Sequence, residues 1–110
     1  MGGSEQPSRG DRYVVNSEFE AIVLTQWFSP FTGGSERQLP AGIEFIVVAD
    51  PPETATAISA RPVLPERWEV LLVDEQERTA EKYAGYSLVI SLDFLKAYCS
   101  RQQRSSEDPS

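Results

Sequence analysis

The chain has no histidine and only one cysteine, Cys99, among its 110 residues. Without an imidazole it lacks the usual base of a catalytic triad, a common metal ligand and the side chain that titrates near neutral pH. A single cysteine can form neither an intramolecular disulfide nor a zinc site. We therefore predict no catalytic residue, no metal site and no cofactor, and we interpret Cys99 as a structural thiol.

Basic residues and long apolar runs are also scarce. The net charge is −7, and residues 12–100 hold 13 acids against seven bases. Because nucleic-acid binding gains affinity by neutralising phosphates with Lys and Arg, we expect no nucleic-acid partner. The apolar runs are far shorter than the roughly 20 residues that span a bilayer, and the first residues lack the features of a signal peptide. We expect no membrane association and a soluble, cytoplasmic protein.

The composition that is present fits one globular domain between two polar tails. Apolar residues make up 40% of the chain and charged residues 25%, which is typical of globular proteins. Residues 1–11 and 101–110 are polar and cannot bury enough apolar area to offset the entropy of ordering them. The sequence therefore predicts a single domain over residues 12–100, with disordered tails of residues 1–11 and 101–110.

Short apolar runs separated by turn residues indicate a mainly β domain. The clearest run begins at Phe19, and its alternate side chains to Trp27 share one face by the period of two that a strand imposes. Ile22, Leu24 and Phe28 share the other face. The predicted strands cover residues 18–28, 43–49, 54–63, 68–73 and 86–90. After Ser91, which is placed as an N-cap, the spacing of apolar residues predicts a short C-terminal helix from Leu92 to about Gln102.

Turn chemistry joins these runs by short connections. Gly33 and Gly34 predict a reversal after the first strand, and the Leu-Pro-Ala-Gly segment at residues 39–42 predicts another turn. Five or six strands that follow one another without a crossover helix favour an antiparallel sheet, sandwich or barrel.

The segment Leu-Pro-Ala-Gly-Ile-Glu-Phe-Ile-Val at residues 39–47 resembles the Pro-Gly turn and following strand of SH3-like barrels. The strand order over residues 19–90 is compatible with that family. The chain lacks the Ala-Leu-Tyr-Asp-Tyr-like segment, the paired tryptophan and the late Pro-x-x-Tyr of peptide-binding members. The resemblance therefore implies only a small antiparallel barrel of five or six strands, without the groove that binds proline-rich peptides.

Three aromatic residues, Trp27, Phe28 and Phe31, are the most informative local feature. Neighbouring side chains of an extended chain point to opposite faces, so these three cannot all enter one core. Either they form an exposed aromatic surface of the kind that anchors protein interfaces, or Trp27 and Phe31 close the end of the barrel while Phe28 packs under the loop. We take the three as the candidate partner-binding residues.

Other motifs have simpler interpretations. Paired carboxylates at Glu18 and Glu20, and at Asp74, Glu75 and Glu77, fit solvent-facing positions better than acid–base catalysis. The Pro-x-x-Pro-x-Arg pattern at residues 62–67 matches ligands of some SH3 domains, but it joins two predicted strands and is interpreted as a connection.

These observations favour a non-enzymatic protein-interaction module whose acidic surface attracts a basic partner protein. Two alternatives stay open: an acidic accessory subunit or inhibitor within a larger assembly, and an enzyme that uses carboxylates. No residue predicts the oligomeric state.

Overall fold

The alternation of apolar residues between Phe19 and Trp27 produces the longest ordered element early in the chain. In the computed structural model, which describes residues 6–28 and 32–102, strand β2 covers Phe19–Trp27. Phe19, Ala21, Val23 and Thr25 are buried, whereas Glu20 and Ile22 between them are exposed. The sequence prediction for this strand is confirmed.

Within the described residues, seven strands form one antiparallel sheet in the order β3-β2-β6-β5-β4-β1-β7. The other strands are β1 (Arg12–Val15), β3 (Thr32–Leu39), β4 (Glu44–Val47), β5 (Ala57–Pro62), β6 (Tyr83–Ser91) and β7 (Cys99–Arg101). The mainly β, antiparallel class is confirmed. The predicted barrel and the count of five or six strands are not confirmed, because β3 and β7 end the sheet as separate edges.

Three short helices accompany the sheet: α1 (Pro65–Leu72), α2 (Glu75–Arg78) and α3 (Leu92–Tyr98). Helices α1 and α2 lie in the connection between β5 and β6, two strands that pair directly. Because β5 and β6 are antiparallel, α1 and α2 do not form a crossover between parallel strands, but they make this connection longer than the short one that was predicted.

The predicted strand at residues 68–73 is the largest local correction, because most of it belongs to helix α1. Pro65 occupies the first turn, where its fixed φ and missing N–H suit a helix start. Trp68 and Leu72, four residues apart, are buried on one side of the helix. By periodicity alone, a short apolar run is compatible with both a strand and a buried helix. Here the i, i+4 spacing of Trp68 and Leu72 allows both side chains to enter the core from one side of a helix.

The predicted reversal at Gly33 and Gly34 is also wrong, since both glycines lie inside strand β3. They pair with Thr25 and Leu24 of β2. A Cβ atom at Gly34 would lie 2.9 Å from Cδ2 of Leu24. Gly34 therefore lets the Leu24 side chain lie against the edge strand, which is a packing role and not a turn role.

The chain that follows α3 returns to the sheet. The predicted helix begins at Leu92 as expected, but it ends at Tyr98, and β7 then pairs with β1 so that Cys99 lies opposite Val15. The first and last strands of the described chain are thus neighbours. The Arg101 guanidinium lies 3.0 Å from the Asp11 carboxylate and 5.7 Å from the centre of the Tyr13 ring.

Residues on the N-terminal side of β1 also contact the sheet. The N–H of Gly10 donates to the carbonyl of Val47, and the N–H of Arg9 donates to the Asp50 carboxylate. Pro7 is buried. Of the predicted tails, residues 1–5 and 103–110 lie outside the described part of the chain.

The two faces of the sheet have different surroundings. The face that we call inner carries the core, with Phe45, Val47, Ala60, Leu88 and Ile90 fully buried. Helix α1 adds Trp68 and Leu72 to this core, and α3 adds Leu95. The opposite side of the strands, which we call the outer face, carries the remaining side chains.

Candidate functional site

The structure describes two of the three aromatic residues that the sequence singled out, and these two differ in exposure. Trp27 is half-buried, and its ring meets that of Tyr83 edge to face with centroids 6.1 Å apart. Phe28, the next residue, is 80% exposed. Phe31 lies outside the described residues. Of the two described residues, Phe28 is the more accessible and Trp27 is partly covered, and the role of both in partner binding stays a prediction.

A bulge in β6 explains why Tyr83 meets Trp27. Gln26 pairs with Gly85 and Trp27 pairs with Tyr83, which leaves Ala84 without a partner residue on β2. The φ angle of Gly85 is +134°, a conformation that side chains disfavour. Because of the extra residue, Tyr83 packs against the core together with Tyr86, although strict alternation would place it on the outer face.

The bulge brings two tyrosine hydroxyls under helix α1. Tyr83 donates a hydrogen bond to the Glu69 carboxylate at 2.5 Å, and Tyr86 donates to the carbonyl of Pro65 at 3.2 Å. Burial raises the pKa of both tyrosines, and the negative charge of Glu69 raises each further. These neutral hydroxyls attach the helix to the sheet.

The carboxylates at Asp74 and Glu77 also make structural contacts. Asp74 pairs with Arg37 of β3 at 2.7 Å, and the Glu77 carboxylate accepts a hydrogen bond from Thr25 at 3.3 Å. Both interactions connect the segment around α2 to strands β2 and β3. Glu18 and Glu20, by contrast, are exposed and form no such contact with the described residues.

The outer face carries apolar side chains that no described helix covers. Cross-strand pairing places Glu36, Ile22, Val89 and Ser59 side by side on four neighbouring strands. The N–H of Val48 then donates to the carbonyl of Ser59, which extends this row to the end of β4. Ile22 is 38% exposed and Val48 36% exposed. We call the row Glu36, Ile22, Val89, Ser59 and Val48 the outer row.

An open cavity of about 290 Å³ lies beside the acidic end of the outer row. Ile22, Ala57 and Val89 supply apolar surface, and Phe94 at the start of α3 adds an aromatic ring that is 40% exposed. Phe94 is held edge to face by the rings of Phe19 and Tyr98. We call this cavity the outer groove. Its full lining is Glu20, Ala21, Ile22, Glu36, Thr56, Ala57, Val89, Ser91, Asp93 and Phe94.

The charged side chains of the outer groove all have the same sign. Glu20, Glu36 and Asp93 line it, and no Lys or Arg does. All three acids are exposed, and no described residue forms a salt bridge or a side-chain hydrogen bond with them. The groove thus combines an apolar floor with a negative rim, and this combination favours a ligand that is apolar along its length and positive at one end.

A second cavity has a volume of about 410 Å³. It is lined by Pro7, Tyr13, Leu95, Lys96, Cys99 and Arg101. Burial raises the pKa of the Cys99 thiol to about 12, so the thiol stays protonated and unreactive at neutral pH. The Arg101 guanidinium forms a salt bridge with Asp11 and donates a hydrogen bond to the Tyr13 hydroxyl. These contacts hold strand β7 against the N-terminal part of the chain.

Two further features concern membranes and metals. None of the helices in residues 6–28 and 32–102 has the length and apolar character needed to cross a membrane. Within the same residues, no three acidic or thiol side chains come together in a way that suits a metal ion.

No protein-family model, curated protein or solved structure matches this chain. Its function is therefore inferred from the geometry and chemistry of the surfaces described above.

The sequence pattern contained part of the outer groove. Ile22 and Glu20 share one face of the predicted first strand. An Ile on the same face as an acidic residue indicates an apolar side chain that is partly exposed. Glu36, Val89 and Phe94 come from elements far away in sequence, and only the strand order joins them.

Proposed function

We propose that this protein is a non-enzymatic protein-interaction module that binds a partner protein through the outer face of its sheet. The observation that carries the proposal is the outer row, where Ile22, Val89 and Val48 meet solvent next to a groove. Apolar side chains that stay partly exposed beside a groove are found at many protein-binding surfaces.

The exposed Phe28 supports the same proposal from a second position. It follows the last residue of β2, the strand that carries Ile22. An aromatic side chain that is 80% exposed contributes little to the core. In an interface, the same ring would bury a large area with few rotatable bonds, which is typical of residues that dominate binding energy.

The charge of the molecule favours a basic partner. The acids of the outer groove have no described counter-ion, and the whole chain carries a net charge of −7. Such a field accelerates association with a positive protein and repels a nucleic acid. The proposal does not require a closed barrel.

The test is selection of a displayed random-peptide library on the purified protein, followed by mapping of the best peptide by amide chemical shifts. We expect the largest shifts along β2 and β6 at outer-face positions. An Ile22→Ser variant is expected to lose binding by about tenfold or more, in keeping with loss of an interface anchor.

Val70→Ser is the matched control, because Val70 is a β-branched residue that is 61% exposed on helix α1. It should bind the peptide as the unaltered protein does. Binding that survives Ile22→Ser but is lost in Val70→Ser would contradict the proposal, as would a library without binders.

Phe28→Ala and Trp27→Ala form a second comparison. We expect Phe28→Ala to retain the melting temperature and weaken binding of the partner, because the ring is exposed. Trp27→Ala should lower the melting temperature, because it removes the contact with Tyr83. If Phe28→Ala is the more destabilising of the two, Phe28 belongs to the fold and not to the interface.

A further inference from the structure

We infer that the outer groove binds one lysine or arginine side chain from an extended segment of the partner protein. The inference rests on the proposed function and specifies the ligand of that surface. Its basis is the juxtaposition of an apolar floor, an aromatic wall and three carboxylates around one cavity.

The size of the groove favours a single side chain. Sites for cofactors and drug-sized molecules have volumes of roughly 300–1,000 Å³. The outer groove, at about 290 Å³, lies just below that range and is open to solvent. A flexible aliphatic chain with a polar tip fits such a site without needing enclosure.

The lining matches the two parts of a basic side chain. Ile22 and Val89, which are directly paired neighbours on β2 and β6, provide apolar surface for the methylene stem. Glu20, Glu36 and Asp93 at the rim supply negative charge that attracts the ammonium or guanidinium head. The partly exposed ring of Phe94 provides an aromatic surface that attracts a cation.

Other cationic ligands fit this lining less well. A metal ion would need at least three donor groups close together, and the described residues contain no such group. A free amine would use the groove but would leave Ser59 and Val48, the part of the outer row beyond the groove, without a contact. A segment of protein uses both, because residues that flank the basic side chain would contact the row toward Ser59 and Val48.

The experiment uses three short probes with blocked ends: Ser-Leu-Lys-Leu-Ser, the same peptide with norleucine in place of lysine, and butylammonium. Affinities are measured by titration of amide chemical shifts. We expect the lysine peptide to bind the full chain at least about tenfold more tightly than either other probe, and to weaken as salt is raised.

The matched variants change charge without changing shape. The triple variant Glu20→Gln, Glu36→Gln, Asp93→Asn should bind the lysine peptide about tenfold more weakly and the norleucine peptide unchanged. The control is Glu53→Gln, Glu75→Gln, Glu81→Gln, which removes the same charge from exposed positions outside the groove. It should retain the affinity of the unaltered protein for the lysine peptide.

The outcomes separate this inference from the proposed function. If the lysine and norleucine peptides bind equally and both lose affinity in Ile22→Ser, the inference that the groove recognises a basic side chain is wrong. The proposed interaction surface is then still supported. Butylammonium binding as tightly as the lysine peptide assigns the groove to small amines and overturns the inference. Binding of neither peptide, or binding unaffected by Ile22→Ser, contradicts both proposals.

Discussion

Strand β6 shows how the burial of apolar side chains differs between the two faces of the sheet. Leu88 and Ile90 on the inner face are completely buried, whereas Val89 between them stays half-buried on the outer face. The same contrast holds on β2, where Val23 is 1% exposed and Ile22 is 38% exposed. Apolar side chains of the inner face are packed into the core, whereas those of the outer face stay partly exposed.

Truncation of neighbouring residues on β6 tests most directly whether the two faces differ in their contribution to stability. Leu88→Ala should lower the free energy of unfolding by about 2–5 kcal/mol, because it leaves a cavity in a closely packed core. Val89→Ala should change it by less than about 1 kcal/mol. Urea denaturation followed by tryptophan fluorescence measures both. Similar losses for the two variants would mean that the outer face is also part of the core.

The next effect concerns the bulge that moves Tyr83 to the inner face. Gly85→Ala should cost about 1–3 kcal/mol, because a φ of +134° strains any residue with a Cβ atom. No atom within 4 Å would obstruct the methyl group, so the cost comes from the backbone. Ala84→Ser, at the exposed neighbouring position, is the control and should be nearly neutral. Thermal denaturation that ranks Ala84→Ser as the worse change would refute the assignment.

The smallest expected effect concerns the hydroxyl of Tyr83 itself. Tyr83→Phe removes its hydrogen bond to Glu69 and should cost about 1 kcal/mol at neutral pH. The folded state raises the pKa of Tyr83 above its unfolded value of about 10. The stabilising contribution is therefore complete below pH 10 and is lost as the pH rises toward the folded pKa.

Denaturation midpoints measured from pH 7 to 11 test this prediction. The unaltered protein should lose more stability than Tyr83→Phe above pH 10, so that the two curves converge. Tyr98→Phe is a suitable control, since the hydroxyl of Tyr98 forms no hydrogen bond within the described residues. If the stability difference between the unaltered protein and Tyr83→Phe instead widens at alkaline pH, the predicted direction of the pH dependence is wrong.

The sequence predicted those parts of the fold whose side chains alternate. β2, β4 and β6 were found because one face of each is apolar at every second position, and the buried residues follow that pattern. Strand β3 was not predicted, because seven of its eight residues are not buried and its sequence therefore lacks the alternation of apolar and polar residues. Strand β7 has only three residues, too few for any periodicity.

Helix α1 and the outer groove could not be deduced for two different physical reasons. The run from Trp68 to Val73 carries enough apolar residues for either a strand or a buried helix turn, and tertiary packing decides between them. The groove is assembled from β2, β3, β6, α3, the first residue of β5 and the residue before it. Local patterns contain no information about such neighbours, because the strand order that brings them together does not follow the order of the chain.

The pairing of β1 with β7 has a consequence for the way the protein is made. Residues 12–15 are translated before their partner at residues 99–101, which follows more than 80 positions later. Until then one side of β1 has open backbone groups that other extended chains can bind. Closing so large a loop is also slow, so the final step of folding waits for the end of the domain. A chain that ends before Cys99 would therefore leave this edge of β1 unpaired and open to association with other extended chains.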